Sequence, residues 1–167
     1  SGVAVHAAES ANTNTFTGGS GDDTFVFNAS ATLVAADVLN GTSGTDIIRL
    51  DNDTSDAGTV GNAVTATLDR ASNIDQVVVS DTATDNAAGD VTLTMTNIAY
   101  DQASLTVNAS ALDAGEVFTF NAIDTTMTAL DEVFVVSGGA GADSLTGGAG
   151  NDTINGGAGA DLVIGGI

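Results

Sequence analysis

The sequence predicts an all-β chain wound as a right-handed parallel β-roll or β-helix solenoid, and three observations carry that expectation. The last thirty residues repeat every nine without a slip. Ahead of them, short segments rich in Thr, Val, Leu and Phe alternate with period two, the spacing of strands with one buried face. No window shows a 3.6-residue apolar stripe, and the 167 residues contain no proline.

The nonapeptide units are 138–146, 147–155 and 156–164, and a fourth begins at Gly165-Gly166. Glycine holds positions one, two and four, and aspartate (Asp143, Asp152, Asp161) holds six. An aliphatic residue (Leu145, Ile154, Val163) holds position eight. The pattern matches G-G-x-G-x-D-x-U-x, a known signature of calcium-binding β-helices. Positions one to six suit a tight turn whose backbone visits φ > 0, where glycine carries no Cβ penalty. Positions seven to nine suit a short strand with one side chain turned inward. Two units make one 18-residue coil, which places Asp143 and Asp161 on one side of the stack and Asp152 on the other. Carboxylates stacked about 5 Å apart repel unless a cation lies between them. A donor set of carboxylates and carbonyls, with no His or Cys, suits calcium, which accepts oxygen ligands in flexible geometry. A flexible linker, the alternative, would not hold its aliphatic residue in phase with its aspartate.

Two further copies lie near the start. Residues 18–26 fit every position, and 41–49 lose only the second glycine, which is Thr42. Their separation reads as one 18-residue coil plus five, with an outward bulge around 28–34 that lets Asp23 and Asp46 share an ion. Plain β-turns are the alternative. The candidate metal ligands are therefore the carboxylates of Asp23, Asp46, Asp143, Asp152 and Asp161. Carbonyl oxygens at positions one and three complete the set: Gly18, Ser20, Gly41, Ser43, Gly138, Ala140, Gly147, Ala149, Gly156, Ala158 and Gly165.

The formal charge is −20, from 22 acids against Arg49 and Arg70 alone. Nineteen acids are Asp and three (Glu9, Glu116, Glu132) are Glu, a bias toward turns and short-reach ligation rather than helices. Such a balance excludes nucleic acid and anionic membrane surfaces as partners, since both need a basic patch. With 43% hydrophobic residues a core is available, although folding and metal binding can be one equilibrium. There is no cysteine, so neither a disulfide framework nor a thiolate metal site is expected. Neither a membrane span nor a retained signal peptide is expected, since the chain has no apolar run of about 18 residues and no charged-then-apolar leader.

Between the two motif groups, strands are expected over 65–68, 76–80, 91–96, 104–107, 117–120 and 132–136. Equivalent apolar points recur at Leu93, Leu105, Phe118, Phe134 and Leu145, a cadence that reads as successive coils feeding the nonapeptide array. Phe118, Phe120 and Phe134 belong to the continuous core such stacking creates. A small antiparallel sandwich over 65–136 is the other reading. The organisation expected is an N-terminal segment at 1–17, a degenerate calcium coil at 18–50, a Thr-rich region at 51–137 and a β-roll at 138–167.

On these motifs the chain resembles the repeats-in-toxin (RTX) family of secreted bacterial proteins. The layout from Thr17 onward also looks similar to a module of large RTX-type surface proteins and S-layer proteins. There, a Gly-Thr-Ser-Gly-Thr-Asp start precedes Thr-rich strands and then Gly-Gly-Ala-Gly-Ala-Asp repeats. The resemblance implies several calcium ions, an extracellular setting on the bacterial cell surface, and repeats that fold after export.

No catalytic chemistry is expected. His6 is the only histidine and has no nucleophile beside it; no Gly-x-Ser-x-Gly, His-Glu-x-x-His or phosphate loop occurs. Arg49 and Arg70 are expected to tie down carboxylates such as Asp51 and Asp69. Three functions fit. The first is a calcium-rigidified structural module of an S-layer, adhesin or self-assembling filament, associating with neighbouring modules through its solenoid ends and with cell-surface polysaccharide. The second is an export and folding switch beside a secreted enzyme. The third is an ice- or carbohydrate-binding face built from Thr92, Thr94, Thr96 and Thr106, for which the sequence alone shows no regular outward ranks.

Overall fold

A computed structural model describes residues 4–6, 13–28, 33–51, 64–81, 89–95, 104–122 and 132–166. These form a parallel β-solenoid, and no helix occurs among them. One wall is a seven-stranded sheet that runs the length of the described chain. Its strands, in spatial order, are β1 (Ala4–His6), β3 (Thr24–Asn28), β5 (Ile47–Asp51), β8 (Gln76–Ser80), β10 (Ser104–Asn108), β12 (Val133–Ser137) and β14 (Thr153–Asn155). The chain crosses to the opposite wall between each of these strands and the next. That wall is built from two sheets. The first holds β2 (Thr15–Thr17), β4 (Val38–Asn40) and β7 (Ala71–Ser72). The second holds β6 (Val64–Thr67), β9 (Val91–Thr94), β11 (Phe118–Asn121), β13 (Ser144–Thr146) and β15 (Leu162–Ile164).

Every strand pairing is parallel, which removes the antiparallel sandwich as a reading of 65–136. The strands fall where period-two alternation placed them, within one or two residues; Thr96 lies outside the described residues. The apolar cadence needs a correction. Leu93 pairs with Phe120 on one wall, and Leu105 pairs with Phe134 on the other. Successive points in the cadence therefore mark half-coils. A full coil of the middle region takes more residues than a nonapeptide pair, as the 27-residue step from Asp90 to Val117 shows.

The handover between the two opposing sheets occurs in the coil from β5 to β8, which contributes β6 to one and β7 to the other. Leu33 forms an isolated parallel bridge to Ala66 and is 2% exposed. Most of the segment 28–34 expected to bulge outward lies outside the described residues, but Leu33 within it turns into the core, where burying its side chain is worth about 2 kcal/mol. Asp37 then closes the corner: its Oδ2 accepts the Val34 amide and its Oδ1 accepts the backbone and side-chain N–H groups of Asn14.

Alternation fills the lumen. Along β5, β8, β9 and β11 the inward residues are fully buried and the outward ones only partly covered. Phe118, Phe120 and Phe134 are core residues as expected, with Phe120 meeting Phe134 edge-on at 5.5 Å. Cover then thins along the β-roll. Leu145 is fully buried and Ile154 partly so, while Val163, in register with Leu145, is 45% exposed.

Candidate metal centres

The corners of the solenoid carry the sequence-expected aspartates, and the strand registers stack them. Asp143 and Asp161 lie one coil apart, 18 residues, on one corner: the Asp143 amide donates to Asp161 Oδ1 at 3.1 Å. Asp152 lies on the opposite corner, where its Oδ1 accepts the amide of Phe134 at 2.9 Å. Near the start, the Asp23 amide donates to Asp46 Oδ1 across 23 residues. The separation of the two early copies is thus one coil, as the sequence suggested.

In Asp46, Asp143, Asp152 and Asp161 the Oδ1 oxygen receives an amide from the preceding coil, as when Phe118 donates to Asp143 Oδ1 at 2.9 Å. In Asp23 and Asp143 the Oδ2 oxygen turns back over its own loop to the position-two amide, at 2.6 Å for Gly19 to Asp23 and 2.7 Å for Gly139 to Asp143. Aspartate suits this role because its short side chain spans a tight turn without lengthening it. Position-four glycines Gly21, Gly44 and Gly159 adopt φ of 137°, 129° and 121°. Thr42, standing where the repeat has its second glycine, adopts φ 78° and donates its hydroxyl to the Gly19 carbonyl.

A common cradle forms beside the position-one glycine. A Cβ placed on Gly18 would lie 2.5 Å from Asp23 Oδ2 and 2.6 Å from the Gly41 carbonyl oxygen of the next coil. Gly138 meets Asp143 Oδ2 and the Gly156 carbonyl in the same way, and Gly147 meets Asp152 Oδ2 and the Gly165 carbonyl. At Gly41 the pair is Asp46 Oδ2 with the Asn73 carbonyl, and Gly156 faces Asp161 Oδ2. A carboxylate oxygen and a carbonyl oxygen thus converge on one small space, and a cation is what would hold them together. Of the position-three residues, Ser20 and Ser43 bridge each other, with the Ser43 carbonyl accepting the Gly21 amide at 2.8 Å. The Ala140 amide donates to Leu112 and the Ala158 amide to Gly139. Ala149 sits in the turn on the opposite corner.

The electrostatics point the same way. Asp23, Asp46 and Asp143 are 2%, 0% and 2% exposed, and Oδ2 of Asp46 and of Asp152 is buried without a hydrogen-bond partner. Burial pushes the Asp46 carboxyl above its ordinary range against the lowering effect of the Asp23 amide, and Asp23, Asp75 and Asp22 push it further. Burial also raises Asp143, opposed by the Phe118 and Gly139 amides and assisted by Asp161. Neither arginine relieves these sites: Arg49 pairs with Asp51 at 3.2 Å, and Arg70 donates to the Ala36 carbonyl at 3.5 Å. Burying anions is costly unless a positive charge accompanies them. An oxygen-only donor set around them fits calcium. Among the described residues no group of three or more His, Cys, Asp or Glu side chains gathers, so backbone carbonyls would complete any coordination shell. A bound calcium ion would supply the positive charge these corners lack.

Three acids with structural prominence escape the nonapeptide pattern. Asp75 extends the first column to a third coil, accepting the Asp46 amide at 2.7 Å across 29 residues. Its turn has no glycine; Asn73 takes the left-handed conformation instead, at φ 51°, and an Asn two residues before an Asp at a strand start was the available signal. Asp37 is the corner clamp described above. Glu116, 4% exposed, accepts the Asp113 amide at 2.8 Å, and burial together with neighbouring Asp81 raises its carboxyl to about 7. Nothing in the sequence around Glu116 distinguishes it from a solvated acid. His6 lies on β1.

The family model described as RTX calcium-binding nonapeptide repeat matches four copies in this chain, over residues 10–29 and 136–167. Those two segments are similar to RTX repeats. The degenerate copy at 41–49 falls outside them, yet stacks on the first copy in register. No curated protein and no solved structure matches the chain.

Proposed function

We propose that this RTX-bearing chain is a calcium-stiffened structural module of a secreted bacterial surface protein, of the S-layer, adhesin or filament kind. The observation that carries the reading is the stack of carboxylates at the corners, with Asp23, Asp46 and Asp143 buried and Oδ2 of Asp46 and of Asp152 buried without a hydrogen-bond partner. Without calcium those corners are loci of repulsion; with it they become rigid staples along the solenoid. Self-association is part of the proposal. Strands β14 and β15 stand at the ends of their sheets with Leu162, Val163 and Ile164 exposed at 57%, 45% and 47%. An exposed strand edge offers unpaired backbone donors and acceptors to a neighbouring module. No helix among the described residues is long and apolar enough to cross a membrane.

Calorimetric titration with calcium, with light scattering and electron microscopy on the same samples, tests both halves. Saturable calcium heat followed by growth of ordered assemblies is the expected result. Absence of calcium heat refutes the first half; saturable heat with single particles at every calcium level refutes self-association. A second reading, an export and folding switch beside an enzyme, draws on the raised Asp46 and Asp143 carboxyls, which oppose folding where calcium is scarce. Full native circular dichroism in chelator would remove it.

A further inference from the structure

On four strands of the five-stranded sheet, β6, β9, β11 and β13, the outward positions form two ranks of small uncharged side chains, seven of the eight bearing a hydroxyl and the eighth being Asn121; β15 ends the ranks with Leu162 and Ile164. Strand register aligns Thr65, Thr92, Thr119 and Ser144 in one line. Thr67, Thr94, Asn121 and Thr146 fall in the other. The inward residues between them are fully buried and these eight are not, so the hydroxyls stand on a rigid, well-packed wall. Parallel strands lie about 4.8 Å apart and alternate residues along a strand about 6.6 Å apart, so the groups form a two-row grid of nearly fixed spacing. The regular ranks that the sequence did not reveal are therefore present, and of the four threonines it singled out Thr92 and Thr94 belong to them, Thr106 lies on the opposite wall, and Thr96 lies outside the described residues.

Strand propensity favours threonine on any exposed sheet face, but the seven-stranded wall shows that this chain does not require it. There one outward line reads Ile47, Gln76, Thr106, Val135, Thr153, and the neighbouring line includes Arg49, Val78, Asn108 and Ser137. Charge is the second distinction. In a chain of formal charge −20, none of the eight grid positions is ionisable. An uncharged surface amid strong negative charge selects an uncharged partner, and mutual repulsion between copies opposes using the face to pair two chains. Aromatic rings that would stack on sugars are absent from it: Phe25, Phe27, Phe118, Phe120 and Phe134 are all buried in the lumen.

We infer that this threonine face binds ice. Each threonine presents a methyl beside a hydroxyl, so the grid can seat water in cage-like order over the methyl groups and anchor it by hydrogen bonds. The repeated spacing in both directions is what a crystalline water surface, unlike a single soluble ligand, can recognise. Neutrality keeps strongly hydrated ions from disturbing that order.

The test uses the full chain in calcium, with circular dichroism to verify the fold of every variant. Thermal hysteresis and uptake into a slowly grown ice hemisphere are measured for the native chain, Thr94→Tyr, Thr67→Tyr and the opposite-wall control Thr106→Tyr. The native chain and Thr106→Tyr are expected to shape and enter ice, and the two face variants to lose both properties. Two face variants guard against one failing to fold. The inference is overturned if the native chain behaves like albumin at equal concentration, or if Thr106→Tyr loses as much as Thr94→Tyr. Retention on crystalline chitin or cellulose without uptake into ice also overturns it, in favour of a polysaccharide ligand.

Discussion

Replacing Asp143 by asparagine separates what a corner carboxylate does as a hydrogen-bond acceptor from what it does as an anion. The native oxygens accept from Phe118 at 2.9 Å and from Gly139 at 2.7 Å, in a site 2% exposed. Asparagine keeps the shape but offers one acceptor, leaving one of those amides facing an N–H donor. A buried donor left without a partner costs about 1–3 kcal/mol. That cost is present with or without calcium. The anion stabilises only when an ion is bound, where at calcium about one hundred times its dissociation constant the linkage is worth about 2.7 kcal/mol. Without an ion, burial and Asp161 make it unfavourable, so its removal offsets part of the lost hydrogen bond. Asp143→Asn is therefore expected to lose up to about 4–6 kcal/mol in calcium and at most about 1–3 kcal/mol in chelator. For a chain of this length, at about 2–4 °C per kcal/mol, the calcium-dependent share corresponds to about 5–10 °C in Tm. Thermal melts followed by circular dichroism, in calcium and in chelator, measure both losses. Equal losses in the two conditions would show that the corner holds no ion, whatever the fold.

Three other outcomes follow from the same geometry. In chelator, stability is expected to fall as pH rises from about 5 to 7.5, because Glu116, Asp46 and Asp143 have folded-state pKa values above their ordinary ones, that of Glu116 reaching about 7. Such groups stabilise the fold fully below the unfolded value and lose that contribution as pH passes the folded one; melts across pH should show a slope that Glu116→Gln flattens. Gly159→Ala is expected to destabilise by about 1–3 kcal/mol, since it forces a Cβ into a left-handed backbone and onto the Gly141 carbonyl, whereas Gly165→Ala meets no atom within 4 Å and should be near neutral in denaturant titrations. Phe120→Ala, which removes a ring packed against Phe118 and Phe134, should cost about 3–5 kcal/mol by urea unfolding.

The nine-residue period, the period-two alternation and the aspartate at position six determined much by themselves. They specified parallel coils, strand positions, the phase of Asp143, Asp152 and Asp161, and the one-coil separation of Asp23 from Asp46. Those features are local: each depends on residues within a turn and the strand beside it, so a short window carries the information. The tertiary structure alone decided the rest. Leu33 became a core residue through a bridge to Ala66, more than thirty positions away. Asp75 joined the first column through register rather than motif, and Glu116 acquired its raised carboxyl from burial and from Asp81 across a coil. The threonine ranks likewise come from the fact that β6, β9 and β11 align on one wall while β10 lies on the other. Coil length varies through the middle of the chain. Which residues meet across adjacent coils is therefore fixed only when hydrogen-bond register and side-chain packing are satisfied together, a constraint no single window of sequence contains.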